Sequence, residues 1–163
     1  MTMKDYVIRC IDEKGSIRLF VAITTKMVEE ARITHNTSPT ATAALGRVLT
    51  AASMLGITMK GEKDTLTLKI KGDGPSGNII AVANSRGQVK GYVDNPYADL
   101  LTRPDGKLDV GGIVGKTGQL AIIKDLGLKE PYVGYSNLLT GEIAEDLVHY
   151  FYHSEQQPSA INL

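Results

Sequence analysis

Thr40–Lys60 reads TATAALGRVLTAASMLGITMK, and its periodicity decides the fold. At 100° per residue, Ala41, Leu45, Val48, Leu49, Ala52, Leu55 and Met59 fall on one helical face. The opposite face holds Ala43, Thr50, Ser53, Met54 and Ile57, and Arg47 is the only ionisable side chain between Thr40 and Met59. A helix that is apolar nearly all round lies either in a membrane or in a protein core. Glycines, threonines, a serine and an arginine make this one too polar to span a bilayer, so it reads as a core helix. Ser38 is placed to cap it, Pro39 suits its first position, and Lys60-Gly61 suits its exit. These signals predict roughly 22 residues and a length of about 33 Å, enough to underlie a small sheet. Ala43, Ala44, Gly46, Ala51 and Ala52 leave room for close approach by other elements.

Outward from this helix the pattern changes from period 3.6 to period 2. On its N-terminal side, Tyr6–Ile11 and Ile17–Ile23 are β-rich runs joined by DEKGS, which predicts a hairpin with Ile17, Leu19, Val21 and Ile23 on one face. Thr24–His35 is expected as a short helix with Met27, Val28 and Ala31 inward and Lys26 paired to Glu30. On its C-terminal side, Thr65–Lys71, Asn78–Asn84 and Gln88–Val93 alternate and are separated by turn residues, which predicts a meander. Asp109 is placed to cap a short turn, DVGGIVG, and Gln119–Lys124 and Tyr132–Ser136 are two further strands. Thr140–Glu155 is expected as a helix with Ile143, Leu147, Tyr150 and Phe151 in one stripe and Val148 and Tyr152 on its other side. The order predicts an α+β fold: antiparallel hairpins and a meander packed around a long buried central helix, with further helices, in one domain over residues 1–163.

Composition narrows the function classes. Among 163 residues, 18 basic and 18 acidic side chains cancel, so a nucleic-acid groove is not expected. The stretch MTMKDYVIRCIDEKG carries charges at Lys4, Asp5, Arg9, Asp12 and Glu13, so neither a signal peptide nor a membrane anchor is expected there, and a cytoplasmic location is the expectation. The single cysteine, Cys10, has no partner for an intramolecular disulfide, and it is expected to be a small buried hydrophobe. One thiol with His35, His149 and His153 does not suit a closed structural zinc site.

Two features invite a chemical reading. GDGPSGN (Gly72–Asn78) has the glycines of a phosphate loop, but the following NIIAVAN is strand-like, whereas a phosphate cradle needs a helix N-terminus. A tight turn is the simpler account. Arg47 must be paired if buried, and a carboxylate or helix-end carbonyls would serve. No nucleophile or metal motif is present, and Asp125, Glu130 and Glu142 show no dyad spacing, so no catalytic residue is assigned. A small-molecule or phosphate-ligand enzyme using the GDGPSG loop and Arg47 stays open as an alternative, as does a structural assembly module.

The run SPTATAALGRVLTAASML, followed in order by KIKGDGPSG, GQVKGYVDNP, KLDVGGIVG, IKDLGL, TGEIAEDLVHYF and SEQQPSAINL, resembles the N-terminal core domain of the heat shock protein 33 family. The resemblance implies a redox-regulated holdase chaperone that holds unfolded client polypeptides without ATP and is not an enzyme. It also implies a homodimer that can exchange C-terminal elements. Members of that family continue past the segment matching SEQQPSA into a further strand, a helical linker and a zinc module with C-x-C and C-x-x-C cysteines. Zinc and disulfides are therefore expected in the full-length protein, and no zinc ligand or other cofactor is expected among these residues. An apolar strand is expected to begin near Ile161, and Val148, Tyr152 and Ile161 are the candidate dimer contacts.

Overall fold

Ser38 opens the central helix by local chemistry: its Oγ accepts from the Ala41 N–H at 3.2 Å and donates to the Ala98 carbonyl. The computed structural model describes residues 4–163. Within them, α2 (Pro39–Gly56) follows β1 (Tyr6–Ile11), β2 (Arg18–Ile23) and α1 (Thr25–His35). After it come β3 (Thr65–Lys71), β4 (Asn78–Asn84), β5 (Val89–Val93), α3 (Val110–Val114), β6 (Gln119–Asp125), β7 (Tyr132–Asn137) and α4 (Ala144–His153). Ala41, Ala44, Leu45, Val48, Leu49, Ala51 and Ala52 of α2 are all buried, as its period predicts. The helix has 18 residues rather than the expected 22 or so. Past Gly56 the N–H groups of Thr58 and Met59 turn back to the Leu55 and Gly56 carbonyls at 3.0 and 2.9 Å, and this tighter turn ends the helix before Lys60.

The meander and the later strands form one antiparallel sheet in the order β5-β4-β3-β6-β7, while β1 and β2 pair only with each other. Leu68 lies opposite both Ala81 and Ile122, Ala81 opposite Gly91, and Ile122 opposite Gly134, so these positions share one face. That face carries the core, including Leu66, Leu68, Ile70, Ile79, Leu120 and Ile122. Helices α2 and α4 cover it. Leu49 of α2 comes within 3.0 Å of where a Cβ on Gly91 would stand, and the Tyr150 hydroxyl of α4 occupies the space a Cβ on Gly134 would need.

Three local expectations change. The α1 ion pair is Glu29–Arg32 at 2.7 Å, not Lys26–Glu30. The last helix begins at Ala144 rather than Thr140, because buried Asp146 gathers the preceding backbone into a loop. Its Oδ1 accepts from the N–H groups of Leu139 and Thr140 at 2.7 and 3.0 Å, and its Oδ2 accepts from Ile143 at 3.0 Å. Residues 155–163 form neither helix nor strand, and Ile161 and Leu163 fold back against the core where an apolar strand was expected to start.

Candidate interaction surfaces

The β1–β2 hairpin has no fully buried face: Arg9, Ile11 and Arg18 are exposed on one side, and Tyr6, Ile8, Cys10, Leu19 and Val21 on the other. Its register pairs Tyr6 with Ile23, Ile8 with Val21 and Cys10 with Leu19 on one face. Val7, Ala22, Arg9, Phe20, Ile11 and Arg18 make the other face. Arg9 on that second face donates to the Ile57 carbonyl at 3.4 Å, at the end of α2, and Phe20 is half-buried. The uncharged face therefore looks outward. Leu19 is 55% exposed and Ile17, which continues the same face, is 67% exposed. The one acidic group there, Asp12, is tied to the turn: it accepts from the Ile17 N–H at 2.6 Å, and this bond holds its carboxyl below the usual range. Cys10 lies in this face and is exposed, which corrects the expectation of a buried thiol. The alternation of Ile17, Leu19, Val21 and Ile23 was legible in the sequence, but among the described residues Ile17, Leu19 and Val21 stay exposed and only Ile23 is half-buried.

A second apolar surface lies on the main sheet, opposite α2 and α4. It includes Ile80, Val82, Ala121, Ile123, Val133, Tyr92 and Tyr135, and none of these residues is buried. Tyr92 is 46% and Tyr135 62% exposed. Sequence reasoning assigned no role to this face. Its signal was the outward half of each alternating strand, which becomes a surface only once β6 is known to pair with β3.

The features that suggested small-molecule chemistry are used structurally. In the GDGPSG loop the N–H groups of Gly74 and Ser76 donate to the Val114 and Ile113 carbonyls at 3.0 and 2.9 Å. Gly72 and Gly74 lie against the backbone of Val114 and Ile113, so their missing side chains serve backbone packing rather than an anion. Asp73 accepts from the Thr117 N–H at 3.1 Å, which lowers its pKa and keeps a negative charge in the loop. Arg47 donates to Oε2 and to the carbonyl of Glu142 at 2.8 and 3.1 Å. The other Glu142 oxygen accepts from Arg103 at 2.9 Å, and Arg103 also pairs with Asp105 at 2.7 Å. Asp105 is held down at about 2, first by the Arg103 hydrogen bond and then by the Lys107 N–H. The guanidinium of Arg47 is thus committed to tying α2 to the loop before α4.

Val148 and Tyr152 do lie on the side of α4 away from the core, where they line a shallow groove with Leu139, His149 and Pro158. Tyr152 is exposed and Val148 half-buried, while Ile161 is apart from them in its role, packed on the core of its own chain. The His149 and His153 rings are 4.4 Å apart, centroid to centroid. Among the described residues, no three of His, Cys, Asp and Glu are placed to hold a metal ion, and no helix is long and apolar enough to cross a membrane.

Comparison with known proteins settles the family. The model of the Hsp33 protein family matches residues 5–163. The chain belongs to the heat shock protein 33 family. It is 54% identical over 161 residues to the 33 kDa chaperonin of Thermoanaerobacter sp. (strain X514), covering 99% of this chain and 55% of that one. It is 55% identical to the 33 kDa chaperonin of Alkaliphilus metalliredigens, again covering 99% of this chain and 55% of the relative. The crystal structure of the 33 kDa chaperonin (heat shock protein 33 homolog) of Thermotoga maritima superposes with a TM-score of 0.90 at 41% identity, covering 94% of this chain and 52% of that one. The chain thus spans about half the length of the heat shock protein 33 relatives it matches.

Proposed function

We propose that the chain is the client-binding core of an ATP-independent holdase, which captures unfolded polypeptide on apolar surface and catalyses no reaction. The observation that supports this most is the outward hairpin face of Tyr6, Ile8, Cys10, Ile17, Leu19 and Val21, in a chain whose relatives are named chaperonins. Contiguous exposed apolar area of this kind marks binding surfaces, and on a protein without a partner for it, an aggregation liability. The second face of the main sheet adds to the same surface inventory. The chain acts in the cytoplasm as a homodimer, with Val148 and Tyr152 as candidate contacts, and its partners are unfolded clients rather than nucleic acid or membrane.

In the full-length protein, oxidation of thiolate ligands with loss of zinc would be a physically sound switch, because metal binding needs free thiolates and is coupled to folding. The residues present do not fit that metal: Cys10 is the only thiol, and it lies in the hairpin. No step of the switch is therefore assigned to them. The test is suppression of the aggregation of a heat-unfolding client by this chain, followed by light scattering. Suppression that is weakened by Leu19→Glu with Val21→Glu supports the reading; absence of suppression at any molar ratio refutes it.

A further inference from the structure

The second sheet face carries a charge pattern as well as apolar area. Its two middle rows run Lys90–Val82–Thr67–Ile123–Val133 and Tyr92–Ile80–Lys69–Ala121–Tyr135. Neither row contains a carboxylate. The acidic groups of this face stand at its two ends and are engaged. Asp94 accepts from the backbone and side-chain N–H groups of Asn78 at 2.9 and 2.6 Å, and Asp125 accepts from the Gly127 N–H at 3.0 Å. Among the described residues, none of the ion pairs involves Lys69, Lys71 or Lys90. Lys69 and Lys71 lie near enough to Asp94 to help lower its pKa without pairing to it, and Lys90 stands on the edge strand β5, so the three lysines leave a net positive charge on an apolar and aromatic face.

Resting on the holdase reading, we propose that this face selects client segments in which apolar or aromatic residues alternate with Asp or Glu. A wholly apolar segment laid over the rows would strip water from Lys69 without replacing it, which is costly for a charged group. A basic segment would add like-charge repulsion, so the same lysines that attract one client class exclude another. A carboxylate on the segment removes the cost and gains a charge-assisted contact in surroundings of reduced dielectric. Geometry sets the spacing. Strands lie about 4.8 Å apart and an extended chain rises about 3.3 Å per residue. Lys69 and Lys90 sit two strands and one row apart, roughly 12 Å by these spacings, which matches acidic residues at i and i+4 of an extended segment. Tyr92 and Tyr135 then border it on either side.

The experiment compares three labelled twelve-residue peptides with the same alternating apolar residues and with Glu, Gln or Lys at the polar positions. Their binding to the chain is measured by fluorescence anisotropy, alongside suppression of client aggregation. The Glu peptide should bind about three- to tenfold more tightly than the Gln peptide, the range that two partly exposed ion pairs supply, and the Lys peptide most weakly. Added salt should narrow the difference. Lys69→Gln with Lys90→Gln should equalise the Glu and Gln peptides, and Lys69→Glu with Lys90→Glu should invert the order. Equal binding of all three peptides, or an unchanged order in both double variants, overturns the proposal while leaving the holdase reading intact. So does aggregation suppression without binding of any peptide. Loss of both suppression and peptide binding instead removes the holdase reading itself. Tighter binding of a single-stranded oligonucleotide than of the Glu peptide would assign the face to nucleic acid and also overturn the proposal.

Discussion

Asp146 shows how one side chain sets the start of an element. Its carboxylate is buried and accepts three backbone N–H groups, from Leu139, Thr140 and Ile143. Asp146→Ala would leave those donors unpaired, and a loss of about 3 kcal/mol in stability is expected, read from the midpoint of chemical denaturation. Asp146→Asn keeps one acceptor and should fall between the variant and the parent. At the surface, Arg103 holds Asp105 at about 2, so Asp105 favours the native state above its ordinary carboxylate range. That contribution is lost as pH falls from about 4 towards 2. Arg103→Gln should return the Asp105 titration towards 3.8 in a carboxyl-resolved NMR experiment, and an unmoved titration would assign the shift to the Lys107 N–H instead. In the sequence Asp146 is one of three acidic residues, with Glu142 and Glu145, near the start of Thr140–Glu155. Its role as a three-way acceptor depends on a loop folding back, which no local pattern encodes.

Among the elements, those with strong periodicity were legible. The alternation in Thr65–Lys71 and Asn78–Asn84 gave both strands at their observed limits, and the capping chemistry of Ser38 gave the start of α2. Pairing between β3 and β6 was not legible, because it joins runs separated by the whole meander and depends on which edge remains free. The same gap hid the second face of the sheet. Gly134 is a direct test of how α4 sits on that sheet. A Cβ there would meet the Tyr150 hydroxyl, which also donates to Glu155 at 3.1 Å, beside the 2.6 Å pair of Glu155 with Lys124. Gly134→Val should therefore cost about 1–3 kcal/mol through overpacking, with the loss seen in thermal unfolding. A neutral Gly134→Val would mean that α4 does not rest on β7. The hairpin behaves differently. Its outward residues make no intramolecular core, so Leu19→Glu with Val21→Glu should leave the melting temperature nearly unchanged while altering binding, and a collapse in stability would show that this face is covered from within.

For the molecule as a whole, the balance of apolar surface carries the account. The main sheet has one covered face and one open face, and the hairpin adds a second open patch. Self-association is the expected response to so much exposed apolar area, and sedimentation should give a dimer, with a strictly monomeric mass at high concentration contradicting it. Elemental analysis after dialysis against chelator should find no stoichiometric zinc in this chain, since Cys10 is its only thiol. Exposure of Cys10 also alters the expected response to oxidant: two chains can be joined through it, whereas no bond forms within one chain. The Cys10→Ser chain removes that route and isolates the apolar surface. The most direct measurement is therefore light scattering from a heat-unfolding client with the Cys10→Ser chain present, under reducing and under oxidising conditions. Equal suppression in both, weakened by Leu19→Glu with Val21→Glu, is the predicted result; no suppression in either, or suppression untouched by the hairpin changes, would contradict it.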